Sequence, residues 1–234
     1  MDKIWIDTAR KNPSVYGGTS YSSIENSFVK DGALVQRISR DGKDVIESDL
    51  MTKERMMYKY GYLEVRIRLS HNKGSWGALW MMGPATGTTM GEVDIFENFG
   101  SLNSLKSNLH TWGPGDEHEN ILGGKADSIL NFSPGTTNPE PYSDNYHTIG
   151  FEWNKGYMAF YLDGVKHTEY SYDSVKYDCF DKPFYLLLTH WGGEDIAAFA
   201  NCILPDDFKY SDIYYDWIRI YQTDDSSNIL YVKE

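Results

Sequence analysis

Between residues 63 and 69 the chain alternates without a break. Leu63, Val65, Ile67 and Leu69 fall on one side, and Glu64, Arg66 and Arg68 on the other. Successive side chains of an extended strand point to opposite faces, so this segment is predicted to be a strand with one core face and one wet or cleft face. Upstream, residues 1–30 have mixed polarity, and Tyr16-Gly17-Gly18-Thr19-Ser20 signals a loop before the first clear strand. Asp31-Gly32 makes a turn into a strand over residues 33–38. Downstream, Trp76, Ala78, Trp80 and Met82 oppose Gly77, Leu79 and Met81. Both faces of that segment are largely apolar, which predicts a strand lying between two layers.

The next strand carries acids. Gly91-Glu92-Val93-Asp94-Ile95-Phe96-Glu97-Asn98 sets three carboxylates among apolar β-formers, a setting for a half-buried strand. In a flat strand Glu92 and Asp94 share a face while Glu97 falls on the other, and one bulged residue brings it back. Four effective steps of roughly 3.3 Å then separate the two Glu Cα atoms by about 13 Å. Side chains leaning inward by roughly 4 Å each leave a carboxyl gap on the order of 5 Å, the separation of nucleophile and acid/base in a retaining glycosidase. Spacing alone is weak, because Asp and Glu make up 34 of the 234 residues. The neighbourhood lends it weight: residues 105–112 follow as a strand with Asn108, His110 and Trp112 at period two, able to lie beside the carboxylates.

Residues 113–145 hold most of the Gly, Pro, Asn and Asp signals and read as a long loop with at most one short strand, a length that is often functional. Residues 148–154 and 158–162 form a hairpin pair, Asp163-Gly164 turns into Val165-Lys166-His167, and strands follow over 184–189 and 212–221. No long helix is predicted. About a dozen strands spaced by turns make the chain an all-β sandwich, and with no linker, repeat or low-complexity stretch residues 1–234 read as a single domain.

Aromatic residues are 15% of the chain, including 18 Tyr and 7 Trp, more than a core requires. Sugar-binding clefts use such rings as apolar platforms. A net charge of −12 repels nucleic acid and anionic lipid. No apolar run is long enough to span a membrane, and Met1-Asp2-Lys3-Ile4 opens no signal peptide, so a secreted protein has lost its leader here. Cys179 and Cys202 are left as a pair or as buried thiols.

Taken in order, six segments resemble glycoside hydrolase family 16, the laminarinase, agarase and mixed-linkage glucanase group. They are Tyr60-Gly61-Tyr62-Leu63-Glu64-Val65-Arg66, Trp76-Gly77-Ala78-Leu79-Trp80-Met81-Met82, Glu92-Val93-Asp94-Ile95-Phe96-Glu97, His147 to Trp153, Phe160-Tyr161-Leu162-Asp163-Gly164 and Tyr215-Asp216-Trp217-Ile218-Arg219-Ile220-Tyr221. The resemblance spans roughly residues 25 to 221 and implies a β-jelly-roll of two curved antiparallel sheets with a concave cleft. It implies Glu92 as nucleophile, Glu97 as acid/base and Asp94 as the carboxylate between them, sharing a hydrogen bond with Glu92, with the extra residue of the bulged members. No cofactor is implied for catalysis. His110 matches a position that supports the carboxylates or the sugar, and a hydrogen-bonded core histidine is the alternative. Trp76, Trp80, Trp112 and Trp191 are stacking candidates, each also a candidate for core packing. Asp216 falls where many members bind a structural calcium.

The departures from the family concern recognition. Asp49 stands where laminarinases usually carry Arg, residues 86–89 replace a Trp-Pro pair, and Leu188 followed by His190-Trp191 stands where glucanases have Asn before Gly-Gly. The resemblance therefore implies a retaining endo-β-glycanase, secreted, periplasmic or at the cell surface; a monomer is the default expectation. Its leading substrate is a β-1,3-glucan or mixed-linkage β-1,3-1,4-glucan; a β-galactan, agar-type chain or host O-glycan comes second, and transfer to sugar in place of water stays open. No cluster of Lys or Arg near the motif points to a sulfated chain. The rival class is a non-catalytic carbohydrate-binding jelly roll, which has no need of carboxylates that are costly to desolvate. A metal-dependent enzyme is the third, but His110 and His118, separated by a Gly- and Pro-rich stretch, make a poor zinc pattern.

Overall fold

A computed structural model describes residues 4–69, 72–85, 89–99, 105–114, 117–121, 145–193 and 203–233. Cys202, residues 86–88 and most of the long loop after residue 121 lie outside the described residues, so the cysteine pairing and the replaced Trp-Pro pair are not described; Cys179 is buried with a free thiol. Four short strands come first: β1 (Ile6–Asp7), β2 (Lys11–Pro13), β3 (Thr19–Ser22) and β4 (Ser27–Lys30). The body follows as β5 (Ala33–Asp41), β6 (Asp44–Met51), β7 (Met56–Lys59), β8 (Gly61–Arg68), β9 (Ser75–Met82), β10 (Met90–Asn98), β11 (Lys106–Trp112) and β12 (His118–Asn120). The chain closes with β13 (His147–Asn154), β14 (Tyr157–Leu162), β15 (Val165–Ser171), β16 (Tyr185–Gly192), β17 (Tyr210–Tyr221) and β18 (Ile229–Val232). Two short 3-10 turns, Ile24–Asn26 and Asp178–Asp181, interrupt the strands.

Neighbouring strands run in the order β12-β11-β10-β9-β16-β6-β5-β17-β8-β13-β14-β15, with β5 and β6 passing from one half of the jelly roll to the other. The alternation of residues 63–69 pays out as expected: Leu63, Val65 and Ile67 are fully buried. They meet Phe151, Trp153 and Phe160 of the same half and Leu79, Met81, Val93, Ile95, Leu186 and Leu188 of the other in one core. Trp153 sits at its centre, edge-on to Tyr58, Tyr60 and Phe184 at ring separations of 5.6, 5.4 and 5.3 Å. Two turns read from sequence have the backbone their residues suggest. Asp31-Gly32 and Asp163-Gly164 both take positive φ at both positions, as the tight turn of a two-residue hairpin requires.

The first thirty residues differ from expectation. Tyr16-Gly17-Gly18 do make a turn, but Thr19 and Ser20 already belong to β3, and the described residues around the turn add edge strands: β1 pairs with β6, and β3 lies parallel to β6 with Ser20 opposite Val45. Strands of two to four residues are too short to show a period, and their register is set by the strand they join.

Candidate active site

β10 carries the expected bulge. Against β9, Asp94 is opposite Trp80 and Phe96 opposite Leu79, so Ile95 is the extra residue. Ile95 and Phe96 both turn into the core, and Glu97 returns to the face of Glu92 and Asp94. Across the sheet this face continues in rows. Glu92 lies between His110 of β11 and Met82 of β9, Asp94 between Asn108 and Trp80, and Glu97 opposite Ala78, beyond which come Thr189 of β16 and Asp49 of β6. Ala78 and Thr189 are small, and they leave room between the large side chains. The resulting cleft, about 100 Å³, is lined by Trp76, Ala78, Trp80, Glu92, Asp94, Glu97, Thr189 and Trp191.

Each catalytic candidate has a donor of its own. The Trp112 indole donates Nε1–H to Glu92 Oε2 at 2.8 Å, and the Trp76 indole donates to Glu97 Oε1 at 3.1 Å. His110 Nε2 faces Asp94 Oδ2 at 3.1 Å, so Asp94 is engaged by the histidine where a bond to Glu92 had been expected. Burial first, then the Asp94 charge, pushes Glu92 from its ordinary 4.5 up to about 8, while His110 and the Trp112 N–H pull it back. Burial lifts Asp94 to about 7. Glu97 is raised well above the usual range by burial, then by the charges of Asp94 and Glu92, with His110 and the Trp76 N–H opposing. Three acids in one desolvated site thus all hold protons more strongly than free carboxylic acids do. Burial lowers the affinity of His110 for a second proton.

The tryptophans divide the work differently from a simple platform. Trp76 is buried against Phe99 and edge-on to Trp191, with ring separations of 5.2 Å to each. One face of Trp112 is covered by His118 at 4.2 Å. Both donate their N–H groups to the glutamates. Trp80 and Trp191 line the cleft together with Trp76, and Trp80 Nε1 and the Thr189 hydroxyl are buried there without a hydrogen-bond partner among the described residues.

Sequence reading missed the rim. Arg10, from the N-terminal segment between β1 and β2, crosses to the cleft and lies 4.2 Å over the Trp191 ring. Its Nη1 pairs with the fully buried Glu47 at 2.7 Å, and the other Glu47 oxygen accepts the Gly192 N–H at 2.9 Å. Trp191 Nε1 donates to Asp49 Oδ2 at 3.1 Å, and burial raises Asp49 to about 6. A guanidinium expected on β6 is therefore brought to this edge by the N-terminal segment, and Asp49 instead fixes Trp191. Asp216, the calcium candidate, is exposed, pairs with Arg66 and lies at a mainly apolar hollow of about 540 Å³.

The profile described as glycosyl hydrolases family 16 matches residues 25–219. The chain belongs to this family. The beta-glucanase of Rhodothermus marinus is 23% identical over 221 residues, covering 85% of this chain and 71% of that protein. The keratan-sulfate endo-1,4-beta-galactosidase of Sphingobacterium multivorum is 28% identical over 176 residues, 70% of this chain but 37% of its own length. A family 16 endo-glucanase from Bacteroides ovatus, solved as a complex, superposes with a TM-score of 0.76 at 20% identity over 94% of this chain and 96% of that one, a likeness of fold. As a member of family 16 the chain is a glycoside hydrolase, and its all-β architecture is that of its structural neighbours.

Proposed function

We infer that this glycosidase cleaves internal linkages of a β-1,3- or mixed-linkage β-1,3-1,4-glucan with retention of configuration. One observation carries the mechanism: the bulge at Ile95 puts Glu92, Asp94 and Glu97 on one face of the cleft, with indole donors on the two glutamates. Glu97, whose proton affinity is raised by burial and by the charges of Asp94 and Glu92, protonates the leaving glycosidic oxygen. Glu92, ionised with the Trp112 N–H on its carboxylate, attacks the anomeric carbon and forms a glycosyl ester. Glu97 then takes a proton from water, and that water's oxygen releases the sugar from Glu92 with the starting anomeric configuration.

Trp80 Nε1 and the Thr189 hydroxyl, lacking partners among the described residues, offer a donor and a donor-acceptor to sugar hydroxyls. The charge of Arg10 is matched by Glu47, which favours a neutral glucan over a sulfated galactan at the rim. A polymer of this kind is met outside the cytoplasm, and we place the enzyme there. The test is oligosaccharide release from laminarin, barley β-glucan, lichenan, xyloglucan, agarose and mucin-type glycans, with Glu92→Gln beside wild type. Products from the β-glucans that vanish in the variant support the reading. Binding to one glycan, without cleavage and unchanged by the substitution, overturns it in favour of a carbohydrate-binding module.

A further inference from the structure

Two histidines eight residues apart are in contact, and only His110 touches the catalytic carboxylates. β12 pairs with β11 so that His118 is opposite Trp112. The exposed His118 ring stacks on the Trp112 indole at 4.2 Å and 19°, and on His110 at 4.8 Å and 25°. His118 Nε2 lies 2.6 Å from His110 Nδ1, while His110 Nε2 lies 3.1 Å from Asp94 Oδ2. Asp94, His110 and His118 form a chain from the cleft floor to the surface.

The state that reacts fixes where the hydrogens are. With the one available proton on Glu97, Asp94 is an anion and must receive a hydrogen from His110 Nε2. A neutral His110 then has only a lone pair at Nδ1, so the 2.6 Å contact places the hydrogen on His118 Nε2. Without that donor, His110 is free to carry its hydrogen on Nδ1 and turn a lone pair toward Asp94. Two acceptors cannot share that contact, and Asp94 takes up a proton.

We propose that His118 is a positioning residue for the catalytic carboxylates: its Nε2–H holds His110 in the tautomer that donates to Asp94, and so keeps a negative charge between Glu92 and Glu97. This rests on the roles assigned to those two glutamates. Burial favours the neutral form of both imidazoles. The groups facing the pair are Glu92, Asp94 and Glu97 from β10, Glu117 and Glu119 beside His118, and Lys176 and Tyr177 across the groove. Glu119 is itself engaged by the Tyr177 hydroxyl at 2.9 Å and Lys176 at 3.7 Å.

His118→Phe keeps a ring on Trp112 and removes the donor, whereas His118→Gln restores an N–H. The readout is kcat/KM against pH on a glucan that the wild type cleaves. In His118→Phe both limbs of the bell move to lower pH by about half a unit to one unit, because a neutral Asp94 no longer raises Glu92 and Glu97. His118→Gln returns the limbs toward wild type. In the wild-type protein, NMR of the imidazole nitrogens finds the His110 hydrogen on Nε2. A His118→Phe bell that is lower but unmoved, or that shifts upward, overturns the proposal, as does a wild-type His110 hydrogen on Nδ1. The nitrogen readout does not depend on the carboxylate roles; failure of those roles shows separately, as an active Glu92→Gln.

Discussion

The two faces of β10 obey opposite rules within nine residues. On the core face Val93, Ile95 and Phe96 are buried in apolar surroundings, and what they contribute is burial and packing. On the cleft face Glu92, Asp94 and Glu97 are desolvated together, and each is paired with a donor held by another strand. The bulge is what lets both rules hold: it spends its extra residue on the core and returns the third acid to the cleft. Stability lives on one face and reactivity on the other, so substitutions on the two faces should separate cleanly.

The largest expected effect is on the cleft face. Glu92→Gln removes the nucleophile while keeping its shape, and kcat should fall by at least about a thousandfold with no loss of thermal stability. Glu97→Gln should be comparably slow on a natural glucan but recover much of its rate on an aryl glycoside whose leaving group needs no proton. On the core face, Phe96→Ala should cost about 3–5 kcal/mol in urea unfolding and leave the shape of the pH–rate profile unchanged. If that profile moves instead, the two faces are not independent.

Smaller effects sharpen the contrast. Trp112→Phe deletes the hydrogen bond on Glu92, worth roughly 1.5–3 kcal/mol when the acceptor is charged, so kcat/KM should drop by about ten- to a hundredfold. Because that bond favours the ionised form, its loss raises the affinity of Glu92 for a proton, and the acid limb should move to higher pH. Stability should also respond to pH with a definite sign. The folded protein holds protons on these acids up to about 7 or 8, whereas the unfolded chain releases them near 3.8 to 4.5. The folded state therefore binds more protons across that window, and this contribution to stability is lost as pH rises through it. Thermal midpoints taken from about pH 4.5 to about pH 8 should decline less in Glu92→Gln than in wild type.

Much of this was legible in sequence because it is local. The period-two runs at residues 63–69 and 75–82, the Asp-Gly turns and the need for one bulged residue between Asp94 and Glu97 are all properties of short segments. What could not be read is set by the fold. Arg10 reaches Glu47 across 37 residues from the segment between two edge strands that are too short to show a period. An indole that stacks on sugar and one that donates its N–H to a glutamate are the same letter in the chain, so the roles of Trp76 and Trp112 emerge only with their partners. His118 drew notice as a metal ligand with poor spacing, and its place on Trp112 and His110 depends on β12 joining β11.

The central claim is that Glu92 attacks and Glu97 protonates. The most direct measurement is mass-spectrometric location of the ester formed when the wild-type enzyme meets a 2-fluoro glucan oligosaccharide bearing an activated leaving group, which slows the second step so that the intermediate accumulates. The account predicts one sugar chain per protein, attached at Glu92. An ester on Asp94 or Glu97, or turnover with no ester and an inverted product, would contradict it.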